Sequence, residues 1–246
     1  AFIITTERRN EILSNCKTDE ERQRTEEIIR PILRGRDIKR YSYDWAGLWL
    51  IATFPSKHYD IEQYPAVKQH LLSFGKERLE QSGKEYIING EKVKARKKTN
   101  NQWFETQDSI SYWEDFSQPK IVWKRVGSIL RFSYDNDGLL SLDSTCFAVG
   151  KNIEFICCVL NSPMGHFLLK DAPKTGTGDL LVSVQAVEPR MLPSISDEDN
   201  IYFAEKIEHL SEMTDTGLEQ EVAERVFDLY DLSAEERDYI RTNYLI

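Results

Sequence analysis

The sequence predicts an α+β fold, with a mixed β-rich body over residues 1–196 and a C-terminal helical region over residues 197–246. Short apolar and aromatic runs separated by Gly, Pro and Asn fill residues 120–184, which is typical of strands joined by turns. From residue 197 onward apolar residues recur at a spacing near that of a helix. With 40% hydrophobic residues, the 246-residue chain is long enough to bury a core.

The first part of the chain mixes helices with a strand. Residues 7–30 are charged and favour helix, residues 47–54 favour a strand, and residues 61–82 repeat apolar positions at helical spacing. Pro65 fits the first turn of that helix, because an N–H at this position would have no helical partner. Residues 83–102 are basic and carry glycine turn signals, so we expect an exposed hairpin or loop there.

The β-rich part begins at residue 120. An Asn-Asp-Gly turn at 136–138 joins two of its strands, and Ser162-Pro163 separates two short helices. The expected elements, in chain order, are strands at 120–126, 129–134 and 139–149, helices at 155–160 and 165–170, a flexible loop at 174–179 and a strand at 180–184.

The helical region carries two apolar stripes and a capping signal. Ser233 and Glu236 have the spacing of a capping box, which starts a helix. A stripe on a helix needs a partner, and packing on the body is the favoured interpretation. The alternative is that part of it docks a separate domain. The stripes consist of Ile201, Ala204, Ile207 and Leu210, and then of Leu218, Val222, Val226, Leu229 and Tyr230.

The acidic charge of the chain is concentrated in that helical region. The whole sequence carries a net charge of −9. Residues 197–246 hold fifteen acidic and four basic residues, a net of −11, so residues 1–196 are left with a net of +2. Because the local sign of charge decides what a surface attracts, the body remains a candidate for an anionic partner.

Composition indicates a reduced, cytoplasmic protein without a metal. Cys157 and Cys158 are adjacent within an apolar run and are predicted to be core residues. The cysteines and histidines lack the spacing of metal ligands, so no metal site is predicted. No apolar run is long enough to span a membrane. The chain opens at Ala1 on a strand-like segment, and we expect it to be part of a longer protein.

Catalytic motifs are missing from the sequence, and no catalytic residue is predicted. A DNA methyltransferase needs an adjacent Pro-Pro pair in the loop that holds the target amine, and none of the eight prolines are adjacent. Gly176 and Gly178 begin a nucleotide-binding pattern, but Leu181 stands where its third glycine belongs. The triplet that starts at Asp37 and ends at Lys39 matches a common nuclease pattern, so a metal-dependent nuclease using Asp37 remains an alternative.

Basic residues cluster in three segments, which favours nucleic acid as the partner. The segments lie around residues 30–40, 92–98 and 120–131. Arginine can bind guanine edges and Asn or Gln can bind adenine, whereas Lys97 and Lys98 suit phosphates. For any one lysine, the alternative is a solvated face. The predicted DNA-binding residues are Arg34, Arg36, Lys39, Arg40, Lys94, Arg96, Lys97, Lys98, Asn100, Asn101, Gln102, Lys124, Arg125, Lys174 and Thr175.

These segments resemble the TaqI-like C-terminal specificity domain. RPILRGRDIKRY followed by GLWLI resembles its opening signature, and NNQWFETQDSISYWEDFSQPKIVWKRV resembles its second signature. LDSTCFAV, LNSPMGHFLLK and VSVQAVEPRMLP follow in a similar order, and ERVFDLYDLSAEERDYI resembles the helical close of these proteins. The family's small apolar ending before proline is replaced here by Met191-Leu192.

The resemblance implies a target-recognition domain that binds double-stranded DNA in a bacterial restriction–modification enzyme. It further implies an upstream adenine-specific methyltransferase that uses S-adenosylmethionine, with no cofactor in this chain, and leaves open an endonuclease. A free-standing specificity subunit, as in type I systems, remains an alternative. So does a protein-interaction module built on the acidic helices.

Overall fold

The computed structural model describes residues 1–244 and divides into two compact units. The first unit comprises residues 1–32 and 47–113, and the second comprises residues 33–46 together with the chain from residue 114 onward. The helical region therefore belongs to the same unit as the strands before it. The predicted boundary after residue 196 concerns where DNA recognition ends, and it stays a prediction.

The first unit combines three paired strands, four helices and a hairpin, counted over its own residues. Strand β3 pairs antiparallel with β1 and with β2. The elements are β1 (Ile3–Thr5), α1 (Thr6–Ser14), α2 (Asp19–Ile28), β2 (Ile29–Leu33, which ends in the second unit), β3 (Leu48–Ile51), α3 (Pro65–Leu72), α4 (Lys76–Leu79), β4 (Glu85–Ile88) and β5 (Glu91–Lys94).

The helices of this unit begin and end where the sequence chemistry dictates. Thr5 and Thr18 cap α1 and α2 by accepting hydrogen bonds from backbone N–H groups. Pro65 opens α3 as predicted, but Gly75 at φ +86° separates α3 from α4, so the single helix expected over 61–82 is wrong. Their apolar faces share a core with the sheet, to which Ile51 contributes.

A two-stranded antiparallel ribbon, β4 with β5, forms the hairpin expected within residues 83–102. Its two central turn residues, Asn89 and Gly90, both have positive φ, the requirement of the tight turn that suits strand twist. The alternation of the strands places Ile87 opposite Lys92 on the exposed face.

The second unit is a small antiparallel sheet covered by helices. Strand β6 pairs with β10 on one side and β8 on the other, and β7 pairs with β11. The elements are β6 (Lys120–Lys124), β7 (Val126–Gly127), β8 (Phe132–Asp135), β9 (Leu140–Ser141), β10 (Thr145–Val149), α5 (Ile153–Asn161), α6 (Pro163–Leu168), β11 (Leu180–Leu181), α7 (Val184–Val187), α8 (Asp197–Glu212), α9 (Thr216–Leu229) and α10 (Ala234–Asn243).

The C-terminal helices pack on the body of this unit, as the favoured interpretation of their stripes requires. Ile207 and Leu210 of α8 and Val222 and Val226 of α9 are buried in one cluster with the strands and α5. Cys157 and Cys158 of α5 lie in the same cluster, which confirms their prediction as core residues. The expected α+β fold is therefore confirmed. Among residues 1–244 we find no helix that is both long and apolar enough to cross a membrane.

A buried ion pair joins the central strand β6 to its neighbour β8. Lys120 and Asp135 are fully buried register partners, and the Lys120 Nζ lies 2.5 Å from Asp135 Oδ2. The ammonium also donates to the carbonyl of Phe116, while the carboxylate accepts from the backbone N–H groups of Asp137 and Leu139. Both charges are thus compensated, which is the condition for burying them.

We predict that Lys120→Met lowers the free energy of unfolding by about 3–5 kcal/mol, because it leaves the Asp135 carboxylate buried without its cation. Urea denaturation followed by fluorescence measures the change. Lys124→Met, at the exposed end of the same strand, is the matched control and should change stability by less than about 0.5 kcal/mol.

The double variant Lys120→Met/Asp135→Asn removes both charges and should be more stable than Lys120→Met alone. If Lys120→Met unfolds at the same urea concentration as the wild type, the pair does not hold the two strands together.

Candidate nucleic-acid interface

The second unit carries a groove whose charged side chains are all cations, and we name it the basic groove. It has a volume of about 180 Å³. It is lined by Gly35, Arg36, Ile38, Lys124, Gly127, Ser128, Ile129 and Arg131. Arg36 comes from the first basic segment of the sequence and Lys124 from the third, so folding brings together cations that are far apart in the chain. All three cationic side chains are exposed.

The turn that presents Arg36 is held by an internal clamp. The Arg34 side chain donates to both carboxylate oxygens of Asp37, at 2.7 Å for the Nη2–Oδ1 contact, and the Arg34 backbone N–H donates to Oδ2. Gly35 allows close packing, because a Cβ there would lie 3.1 Å from the Lys124 Cγ. The clamp therefore fixes Arg36 beside Lys124.

The same clamp bears on the nuclease alternative. Burial acts to raise the pKa of Asp37, but the hydrogen bonds from Arg34 outweigh it and hold the pKa below its ordinary value. The carboxylate is 4% exposed and is engaged by arginine on both oxygens. Within residues 1–244, no three His, Cys, Asp or Glu side chains group as metal ligands would. The geometry gives Asp37 a structural role.

The antiparallel pairing of β6 with β8 ends beside two of the groove cations. The paired residues end with Trp123 and Phe132. The next positions in that register are Lys124 and Arg131, which both line the basic groove. Like charges that line one groove repel each other, so this arrangement is stabilised when an anion lies between them.

Further predicted residues lie next to the paired strands β7 and β11. Arg125 is exposed, and its carbonyl accepts a hydrogen bond from the Val182 N–H. The loop before β11 carries Lys174, exposed, and Thr175, whose hydroxyl bonds Thr177. Because β11 pairs with β7, this loop begins next to the strand that leads into the groove.

The first unit carries a second group of the predicted residues. Five of them are exposed there: Lys94, Lys97, Lys98, Asn100 and Gln102. Lys98 and Gln102 line a polar groove of about 540 Å³, to which Lys76 and Lys84 also contribute. These side chains have free reach to a phosphate or a base edge.

Several of the predicted residues are instead held by the protein itself. Arg96 donates to the carbonyls of Leu79, Trp103 and Glu105 at 2.7–2.8 Å, and burial lowers its pKa. The Asn101 amide donates to the carbonyls of Thr106 and Gln107.

Two cations of the first basic segment also form ion pairs within the protein. Arg40 pairs with Glu219 at 2.8 Å, and Lys39 pairs with Asp44 at 3.0 Å. The DNA contacts predicted for Arg34, Lys39, Arg40, Arg96 and Asn101 stay predictions. One grouping is corrected, because Lys120 of the third basic segment is fully buried in an ion pair with Asp135 and is not part of an exposed basic surface.

Sequence reasoning missed part of the basic groove. Ser128, Ile129 and Arg131 line it but were not among the predicted contacts, although Arg131 had been grouped with the third basic segment. One signal for this part of the groove was available in the sequence. Ile129 directly follows Gly127-Ser128, at a position where a turn residue is usually polar.

Comparison with known proteins identifies the family and a protein of similar fold. The family model for the TaqI-like C-terminal specificity domain matches residues 30–193. A solved structure of the Type IIL restriction-modification enzyme MmeI in complex with DNA is similar to this chain, with a TM-score of 0.55 and 12% sequence identity. The similarity covers 99% of this chain and 33% of that chain, so the present chain spans about a third of the MmeI chain's length. No curated protein matches the sequence.

We predict that Arg96→Ala lowers the free energy of unfolding by about 3 kcal/mol, because up to three carbonyls lose a charged donor at roughly 1 kcal/mol each. Urea denaturation of the full chain measures it. Lys97→Ala, the exposed neighbour, should change stability by less than about 0.5 kcal/mol. A stable Arg96→Ala protein that binds duplex DNA more weakly would instead make Arg96 a DNA contact.

Proposed function

The chain belongs to the TaqI-like C-terminal specificity domain family, and on that premise we propose that it binds duplex DNA in a sequence-specific manner. The observation that carries the proposal is the convergence of Arg36, Lys124 and Arg131 on one groove. None of the described residues that line this groove is acidic. An anionic ligand removes the repulsion between facing cations, and the phosphate backbone of DNA provides a line of such charges.

The composition of the basic groove favours a base-reading function over phosphate binding alone. Two of its cations are arginines, whose planar donors match the O6 and N7 acceptors of guanine. Lysine acts as a flexible point charge and lacks the planar fork that gives arginine its geometric match to a guanine edge. Exposed Asn100 and Gln102 of the first unit supply amides of the kind that read adenine.

The charge of the C-terminal helices argues against DNA contact by these helices. Fifteen of the acidic residues lie in residues 197–246. Placed against phosphates they would repel DNA, so we assign recognition to the cationic groups rather than to these helices.

The wider setting is also part of the proposal. We infer a bacterial, cytoplasmic type II enzyme in which this domain positions an upstream adenine-specific methyltransferase, with S-adenosylmethionine as the cofactor of that upstream domain. An endonuclease could share the same chain. The similarity to a third of the MmeI chain supports a domain within a larger enzyme over a free-standing specificity subunit. A methyltransferase Asn-Pro-Pro-Tyr motif upstream in the same reading frame would decide between them.

We expect selection from a random duplex library to enrich one sequence. The immobilised full chain is incubated with the library at low salt, and the retained duplexes are sequenced over successive rounds. For the enriched duplex, log affinity should fall with log salt by about 0.9 per neutralised phosphate, giving a slope near −3 or steeper.

The control is an equimolar scrambled duplex of the same composition, which should bind more weakly but with similar salt sensitivity. A pool that stays random after repeated rounds, or duplex binding that is absent at low salt, contradicts the proposed function.

A further inference from the structure

Two isoleucines line the basic groove, and of these Ile38 is buried whereas Ile129 is exposed. Ile129 is 60% exposed and lines the groove together with Arg36, Lys124 and Arg131. A single exposed isoleucine needs no explanation on an ordinary surface. This one lies where the proposed function places DNA, so its contact with the ligand follows from its position.

The backbone on both sides of Ile129 is fixed. Before it, Val126 and Gly127 pair with β11, and the carbonyl of Arg125 accepts from Val182 N–H at 2.9 Å. After it, the side chain of Leu130 is buried in the core of the unit.

Phe132 completes this anchoring, because it is fully buried and its N–H donates to Asn161 Oδ1. The residues from 128 to 132 therefore include two inward anchors, and Ile129 lies between an exposed serine and the first of them. Such a side chain is presented to a ligand with little conformational freedom left to lose.

The base edges of duplex DNA offer one prominent apolar group. Thymine carries a 5-methyl group in the major groove, whereas the minor groove presents acceptors and the guanine amino group. Arginine and lysine side chains around Ile129 can hold phosphates or guanine edges, but they cannot distinguish thymine from cytosine through a methyl contact.

We propose that Ile129 recognises a thymine in the target sequence through contact with its 5-methyl group. This inference rests on the proposed function and deepens it, since it assigns one base-specific contact to one side chain. The flanking cations then hold the duplex so that the methyl group meets the isoleucine.

Replacement of thymine by uracil tests this contact, because uracil differs only in lacking the methyl group. Each thymine of the selected duplex is replaced in turn, and affinity is measured by fluorescence anisotropy. The wild type should lose about fourfold in affinity at one position, the effect of removing one methyl contact. Ile129→Ala should bind the thymine duplex more weakly by at least that factor and should bind thymine and uracil duplexes equally.

Ile201→Ala is the matched control. Ile201 is 59% exposed, but it lies on α8 in the acidic region, so its variant should keep the wild-type preference for thymine. The inference is overturned if the wild type is indifferent to uracil at every position, if Ile129→Ala keeps the preference, or if the selected sequence has no A·T pair. Failure of the proposed function is distinguishable from failure of this inference, because no duplex would then be selected from the library.

Discussion

The ion pair between Lys120 and Asp135 fixes the register on which the second unit depends. Both side chains are buried and lie opposite each other, so a slip of one residue would leave two charges unpaired in the core. At the other end of the paired strands, β6 ends at Lys124, and Arg131 directly precedes the start of β8. The buried Lys120–Asp135 pair at one end of the strands therefore helps to position the two cations Lys124 and Arg131 at the other end, where an anionic ligand can compensate their charge.

Arginine serves two different purposes in this chain, and local sequence does not separate them. Arg34 and Arg36 are two residues apart in one basic segment, yet Arg34 clamps Asp37 while Arg36 is exposed in the basic groove. Arg96 holds three carbonyls, and its neighbour Lys97 is exposed. The acceptors differ as well: Arg34 binds a carboxylate three residues along the chain, whereas Arg96 binds backbone carbonyls that lie 7, 9 and 17 residues away.

Much of the fold could be predicted because its signals are local. Pro65 marks a helix start, and Ser233 with Glu236 forms the predicted capping box. The C-terminal stripes pack on the core through Ile207, Leu210, Val222 and Val226, but Ile201 of the first predicted stripe is 59% exposed. The helix break at Gly75 was not predicted, because the apolar repeat continues across this glycine and the sequence alone does not indicate that its φ is positive. The basic groove was only partly predicted: its cations were visible in the sequence, but the strand register that gathers them and exposes Ile129 is a property of the tertiary structure.

The most direct test of the account is the salt dependence of DNA binding after the basic groove is neutralised. Arg36→Gln/Lys124→Gln/Arg131→Gln removes its three charges, and affinity for the selected duplex is measured across a salt series. The slope of log affinity against log salt should become shallower by about 2–3 units, at about 0.9 per lost phosphate contact, and the preference for the selected sequence should weaken. Lys151→Gln/Lys206→Gln is the control and should keep the wild-type slope, because these two lysines of the same unit lie in the turn before α5 and in α8 and do not line the basic groove. A triple variant that is folded and binds with the wild-type slope and sequence preference would contradict the assignment of DNA recognition to this groove.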